Sequence, residues 1–164
     1  MKKLITLILC LGLVFGVAGC ASGSDDAAPT SAPTAAPDTL GTKLLAGFRA
    51  ELENTDDIMA IAETLSAEDF CGYNCGIMEC EEGYLNGFDA EITGFNSAVV
   101  FSPMIGSIPF VCYIFRTDDA EALKEMLAEH ADPRWNICTE AEETVVEAVD
   151  NYVFFTMCPG EDAE

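Results

Sequence analysis

Positive charge is scarce in this sequence. Its 164 residues include 7 Lys and Arg against 29 Asp and Glu, which gives a formal net charge of -22 and a pI of about 4.1. Because phosphate binding needs clustered cations, this balance excludes a nucleic-acid-binding protein. Half of the residues are hydrophobic, which excludes a wholly disordered chain, and the length suits one domain.

Recognisable catalytic motifs are also missing. The sequence contains no glycine-rich phosphate loop, nucleophile elbow or zinc-protease motif. Its single histidine, His130, ends an amphipathic pattern, where it suits the negative C-terminal end of a helix. The acidic runs Glu79–Glu82 and Asp118–Asp119 lack the spacing of a calcium loop. We therefore predict no cofactor, no metal site and no established catalytic residue.

The first 19 residues have the parts of a signal peptide. A basic start, Met1-Lys2-Lys3, precedes the uncharged apolar run Leu4–Val17, and small residues follow. The run is shorter than the roughly 20 apolar residues of a transmembrane helix. We therefore predict export of the chain rather than a membrane-spanning segment.

The residues Val17-Ala18-Gly19-Cys20 resemble the bacterial lipobox. The resemblance implies cleavage between Gly19 and Cys20 and a diacylglyceryl group on the Cys20 sulfur. Two acyl chains anchor a protein stably, whereas one chain anchors it only marginally. We therefore expect an extracytoplasmic protein that is held at the cell membrane by lipid on Cys20.

A low-complexity segment follows the anchor. Ala21–Leu40 consists mainly of Ala, Ser, Thr, Pro and Asp and contains no aromatic residue. Such a segment cannot bury enough apolar surface to offset its ordering entropy. We predict a disordered tether over residues 20–40, a single domain over 41–160 and a short acidic tail over 161–164.

The domain contains several helical patterns. Apolar residues at helical spacing follow four candidate caps, namely Thr42, Thr55, Ser66 with Asp69, and Asp118 with Glu121. The last of these helices is the clearest, because Leu123, Met126 and Leu127 lie on one face and Pro133 ends it.

Two hairpins complete the predicted domain. The uncharged stretch Ile92–Phe115 is interrupted by prolines and a glycine, so we interpret it as buried strands that face solvent only at the turn Ile105–Pro109. Thr144–Val149 and Tyr152–Met157 flank a two-residue turn. Together with a possible strand at 76–80, this order predicts an α+β fold with an antiparallel sheet of about four strands and N-terminal helices packed on it. The strands do not alternate cleanly, so either both faces are covered or one face is an interaction surface.

Three segments resemble a known group of proteins, the small secreted lipoproteins of clostridial type that carry a domain of unknown function. These segments are Phe101–Phe110, Arg134–Cys138 and Asn151–Phe155, which follow the lipobox and tether. The resemblance covers about half of the chain. It implies an exported α+β lipoprotein, and it transfers no active site.

The domain contains six cysteines, Cys71, Cys75, Cys80, Cys112, Cys138 and Cys158. An even number in an exported chain is compatible with disulfides, while buried thiols and a metal site are the alternatives. The first three lack the C-x2-C spacing of common zinc sites. Cys112 lies in a predicted core strand, where a cysteine acts as a small hydrophobic residue.

Two functions fit these observations. The first is a non-catalytic binding module whose contact patch contains Met104, Ile105, Ile108 and Trp135, because exposed apolar turns supply contact area. Its partners would be the membrane, through Cys20, and a protein or small-molecule ligand. The alternative is an extracytoplasmic enzyme that uses cysteine chemistry, which would require an exposed thiol of low pKa.

The lipobox yields the first testable prediction. Wild-type protein should carry lipid on Cys20 and partition into detergent, and Cys20→Ala should abolish both properties because the acylated sulfur is removed. Mass spectrometry of the mature protein measures the lipid directly. An intact Met1 without lipid mass on the wild-type protein would contradict the prediction.

Overall fold

The computed structural model describes residues Thr39–Gly160. The predicted signal peptide, Cys20, the tether up to residue 38 and the tail over 161–164 lie outside the described residues. The helices are α1 (Leu40–Leu52), α2 (Ile58–Leu65), α3 (Glu68–Cys71) and α4 (Ala120–His130). The strands are β1 (Cys75–Cys80), β2 (Gly83–Tyr84), β3 (Glu91–Ile92), β4 (Ser97–Pro103), β5 (Val111–Arg116), β6 (Glu143–Val149) and β7 (Tyr152–Cys158).

The main sheet is antiparallel and has five strands in the order β1-β4-β5-β7-β6. The α+β class is therefore confirmed, and both predicted hairpins are present as β4–β5 and β6–β7. The strand count exceeds the predicted four because β1 pairs with the outer side of β4 along its whole length. Strands β2 and β3 form a separate two-stranded sheet.

The central strands β5 and β7 are buried on both faces, which explains why their sequences do not alternate. Side chains of successive residues point to opposite faces of a strand. Cys112 and Ile114 accordingly pack with Phe154 in one apolar cluster, whereas Tyr113 and Phe115 pack in another. Of the two predicted alternatives, coverage of both faces is therefore correct.

The two faces are covered unequally. On the first face, α1 packs on β6 and β7, and α2 packs on β4 and β5. On the second face, α4 is the one helix among residues 39–160, and it packs on β6 and β7. A five-stranded sheet is about 20–24 Å wide, whereas one helix covers about 10 Å. The β1–β4 side of the second face is covered instead by the segment that carries β2 and β3, through Leu85, Phe88, Ile92 and Phe95, and by loops.

The first helix begins earlier than predicted. Helix α1 starts at Leu40, and Thr39 rather than Thr42 is its N-cap. The Thr39 hydroxyl accepts a hydrogen bond from the Thr42 amide at 3.3 Å and donates one to Glu143 on β6 at 2.5 Å. Leu40 packs against the first cluster. Thr39 and Leu40 therefore belong to the domain and not to the predicted tether.

The other predicted caps also shift. Asp57, not Thr55, caps α2 and accepts hydrogen bonds from two amides of its first turn. No side chain caps α3, because the Ser66 hydroxyl donates to a carbonyl of the preceding helix. Asp119, not Asp118, caps α4. Each of these helices is present close to its predicted position, and only the capping residue differs from the prediction.

An ion-pair cluster joins both helical layers to the edge strand β6. Glu147 on β6 accepts from Arg49 on α1 at 2.7 Å and from Lys124 on α4 at 3.3 Å. These helices lie on opposite faces of the sheet, so the two cations reach Glu147 from opposite sides. In a chain with few basic residues, two of them converge on one carboxylate.

The turn between β4 and β5 is only partly exposed. Met104, Ile105 and the next two residues face solvent, but Ile108 is half-buried against the first cluster and Pro109 is buried. The prediction that the whole turn faces solvent is therefore wrong at Ile108 and Pro109. Their burial follows from Phe110, whose ring packs on Phe101 at 5.9 Å and draws the end of the turn into the core.

Within Thr39–Gly160, no helix has the length and hydropathy to cross a membrane.

The burial of the β4–β5 hairpin leads to a stability prediction. Phe101→Ala and Phe115→Ala should each lower the free energy of unfolding by about 3–5 kcal/mol, because both side chains are fully buried. Ile105→Ala, at an exposed position of the same hairpin, should cost less than about 1 kcal/mol. Urea denaturation monitored by circular dichroism measures all three. Equal losses would show that the turn is part of the core.

Candidate functional site

An apolar cleft opens on the second face of the sheet, on the side that α4 leaves uncovered. Its volume is about 440 Å³. The floor includes Val100 on β4 and Val111 on β5, and one wall is Met78 on the edge strand β1. The opposite wall is formed by two loops, residues 104–110 between β4 and β5 and residues 131–142 between α4 and β6.

Hydrogen bonds hold these two loops together. The Asn136 side-chain amide donates to the Gly106 carbonyl at 2.7 Å, and the Thr139 hydroxyl donates to the Ser107 carbonyl at 3.1 Å. The loop 131–142 is in turn fixed to the core, because Ala141 is buried and its amide donates to the Pro133 carbonyl at 2.9 Å. The cleft wall is thus built by contacts between loops that are about 30 residues apart in sequence.

The rim of the cleft is apolar and exposed. Of the side chains that line it, Met78 is 61% exposed, Ile105 is 66% exposed and Ile137 is 99% exposed. Trp135 and Phe110 supply aromatic surface deeper in the cleft. Exposed apolar groups gathered at one place are typical of binding surfaces, whereas scattered ones need no explanation.

No charged side chain of the described residues lines this cleft. The polar groups around it are neutral, among them Asn86, Ser102 and Asn136. The absence of charge is notable because acidic residues are abundant elsewhere in the chain. A charged ligand would lose hydration here without gaining a partner, so the cleft suits a neutral one.

The predicted contact patch is largely assembled. Ile105, Ile108 and Trp135 line the same cleft, although about 30 residues separate Trp135 from the turn. Met104 does not line it. The Met104 side chain is exposed beside the cleft, and its sulfur would lie 3.0 Å from a Cβ placed on Gly76.

Sequence reasoning missed two prominent members of the rim, Met78 and Ile137. Met78 lies on β1, whose pairing with β4 places it opposite Val100. The irregular sequence before residue 95 gave no sign of that register. Ile137 carried a usable signal, because it is an isolated apolar residue within a polar loop that also holds Trp135.

A second cavity, of about 510 Å³, has a different character. It is lined by the carboxylates of Asp56, Asp57 and Glu79 and by the guanidinium of Arg116. The Arg116 guanidinium lies 5.9 Å from the centre of the Tyr152 ring. Three carboxylates outnumber the one cation, so this cavity does not suit an anionic ligand.

Four of the six cysteine thiols gather on the first face of the sheet. Cys71, Cys75, Cys112 and Cys158 all pack in or against the first cluster. The Cys71 and Cys75 sulfurs are 3.8 Å apart, and the Cys158 thiol donates to Glu143 at 3.2 Å. All six cysteines of the described residues are free thiols. Cys112 is buried in β5, as predicted for a small hydrophobic residue.

Burial lowers the reactivity of four of the six thiols, those of Cys75, Cys80, Cys112 and Cys158. Burial, together with the charge of the neighbouring Cys71 and a hydrogen bond to it, raises the pKa of Cys75 to about 12. Burial also raises the pKa values of Cys80, Cys112 and Cys158, and for Cys158 the Glu143 carboxylate adds to the effect. The thiolate, not the thiol, is the reactive form of cysteine.

The remaining candidates for chemistry are not assembled into a site. His130 lies in the last turn of α4, as predicted, and its Nδ1 is 3.0 Å from Asp89 Oδ1. Among residues 39–160, no group of three or more His, Cys, Asp or Glu side chains could hold a metal ion.

Comparison with known proteins adds no functional assignment. No family model, curated protein or solved structure matches this sequence.

The raised pKa of Cys75 yields a prediction for the fully reduced protein. At pH 7, iodoacetamide should alkylate native Cys75 about a thousandfold more slowly than the same residue in urea, because a pKa near 12 leaves few thiolates. The rate should rise about tenfold per pH unit up to pH 9. Mass spectrometry of digested samples measures the modified fraction.

Cys71, Tyr73 and Cys112 are the titratable groups that interact with Cys75. A phenol and thiols carry no positive charge, so none of them stabilises the Cys75 thiolate. Equal alkylation rates in native and unfolded protein at pH 7 would contradict the prediction.

Proposed function

We propose that this protein is a lipid-anchored, extracytoplasmic binding module that holds a neutral, apolar ligand in the cleft between the loops 104–110 and 131–142. The observation that carries the proposal is the uncharged, apolar lining of this cleft in a strongly acidic chain. Ligand sites are usually concave, largely apolar and equipped with a few polar groups that orient the ligand.

The dimensions of the cleft favour a small ligand. Its volume of about 440 Å³ lies in the range of about 300–1,000 Å³ that is common for small-molecule sites. Trp135 and Phe110 offer aromatic surface to an apolar body, while Asn86 and Ser102 offer hydrogen-bonding groups to a neutral polar end. The exposed rim of Met78, Ile105 and Ile137 would lose water contact when the ligand binds.

Display at the membrane is the second part of the proposal. It rests on the predicted signal peptide, on the resemblance of residues 17–20 to a lipobox and on the resemblance to small secreted lipoproteins of clostridial type. An acidic domain is repelled by an anionic membrane surface, which suits a module that stands away from the membrane on a tether.

The alternative function, an enzyme that uses cysteine chemistry, has less support. Such an enzyme would need an accessible thiol of low pKa. Cys71 is buried, and the pKa of Cys75 is raised to about 12. His130 contacts Asp89 rather than a thiol.

The binding proposal is tested by fluorescence. Trp135 is the only tryptophan and lines the cleft, so its emission reports on the cleft alone. A chain of residues 21–164 contains the whole described domain and avoids detergent, which would absorb an apolar probe. Titration with the neutral probe N-phenyl-1-naphthylamine should change the emission of Trp135 saturably.

A matched pair of variants gives the control. Ile105→Asp places a charge at the cleft and should weaken probe binding at least about tenfold, because that charge would be desolvated by the ligand. Tyr84→Asp places the same charge at an exposed position outside the cleft and should leave binding unchanged. A non-saturable response, or equal losses in both variants, would overturn the proposal.

A further inference from the structure

Two of the free thiols are arranged as a pair. Cys71 is the last residue of α3, and Cys75 is the first residue of β1. Between them, Gly72 adopts φ 82°, a left-handed conformation that reverses the chain and returns it towards the sheet. The reversal brings the Cys71 and Cys75 sulfurs to 3.8 Å from each other.

We infer that Cys71 and Cys75 form a dithiol–disulfide site, which a small disulfide oxidant converts to an intramolecular disulfide. The inference is independent of the cleft and of its ligand. A disulfide bond is about 2.05 Å long, so the two sulfurs need to approach each other by roughly 2 Å. Both sulfurs lie on short side chains; Cys71 directly precedes Gly72, and Cys75 follows it by three residues. A Cβ at Gly72 would meet no atom within 4 Å, so the reversal has room to adjust.

The two thiols differ in access, which sets the order of the steps. Cys75 is half-buried, whereas Cys71 is only 2% exposed and donates to the carbonyls of Ser66 and Tyr73. Cys75 is therefore the thiol that attacks the oxidant RSSR. Only its small thiolate fraction reacts, so this step is slow at neutral pH and faster at alkaline pH. The attack forms a Cys75–SR mixed disulfide and releases RS⁻, which takes up the proton lost by Cys75. The Cys71 thiolate then attacks the Cys75 sulfur and releases the second RS⁻, which takes up the proton of Cys71. The two thiols lose two electrons in total, and RSSR becomes two RSH.

The other thiols of the cluster are less suited to this exchange. Cys112 is fully buried in the central strand β5. Cys158 is fully buried in β7, and its thiol donates a hydrogen bond to Glu143. The site is also coupled to the cleft wall, because the Met104 amide donates to the Asn74 carbonyl at 3.0 Å. Oxidation would thus fix the start of the edge strand β1 next to the loop 104–110.

The test uses the full chain and oxidised glutathione. After incubation at pH 8, unfolding, alkylation and cleavage after glutamate, one peptide, Asp69–Glu79, contains both thiols. We expect this peptide to be lighter by two hydrogen atoms and to resist alkylation, while Cys112 and Cys158 are alkylated. Closure of the loop should also raise the melting midpoint by about 5 °C.

Two variants separate the steps. Cys71→Ser should leave glutathione attached to Cys75, because the resolving thiol is gone. Cys80→Ser is the matched control on the same strand and should leave the disulfide unchanged. The inference is overturned if wild-type Asp69–Glu79 stays reduced, retains glutathione or becomes linked to Cys158. The wild-type measurement decides the matter even if a variant does not fold.

Discussion

Two-sided burial of the central strands is the constraint on which the rest of the structure depends. Strands β5 and β7 direct large apolar side chains to both faces, including Phe115 and Phe154. An uncovered face would expose this apolar surface to water, so both faces need a layer. Two helices before the sheet, α1 and α2, pack on the first face, and one helix within it, α4, packs on the second. The second face therefore has fewer helices to cover it.

The cleft is a consequence of this unequal coverage. Helices α1 and α2 together span most of the first face, but α4 alone spans about half of the second. The segment that carries β2 and β3, together with loops, closes the remaining half incompletely, and the gap is lined by the apolar side chains that the sheet already presents. Asn136 and Thr139 hold the gap in shape without introducing charge. The residues that line this cleft come from separate parts of the chain, so no contiguous sequence motif marks it.

Features governed by near neighbours were predictable from the sequence. The two hairpins and α4 follow from local apolar patterns and turn residues, and Asp150 takes the left-handed φ of 53° that the short β6–β7 turn requires. Features governed by distant partners were not. The start of α1 depends on the contact between Thr39 and Glu143, which are 104 residues apart. The place of Met78 in the cleft depends on the pairing of β1 with β4. Ile105, Ile108 and Trp135 were predicted from their residue types to share one patch, and they line the same cleft.

The Glu147 cluster makes the two margins of the sheet chemically unlike each other. At β6, Arg49 and Lys124 from the two helical layers both pair with Glu147, so this edge carries an ion-pair cluster. At β1, no strand of residues 39–160 occupies the outer side. A sheet can be extended only at an edge strand whose backbone groups are unpaired, and β1 is the edge of this sheet at which the described residues form no ion pair. That margin carries Met78, so any added strand would also become a wall of the cleft.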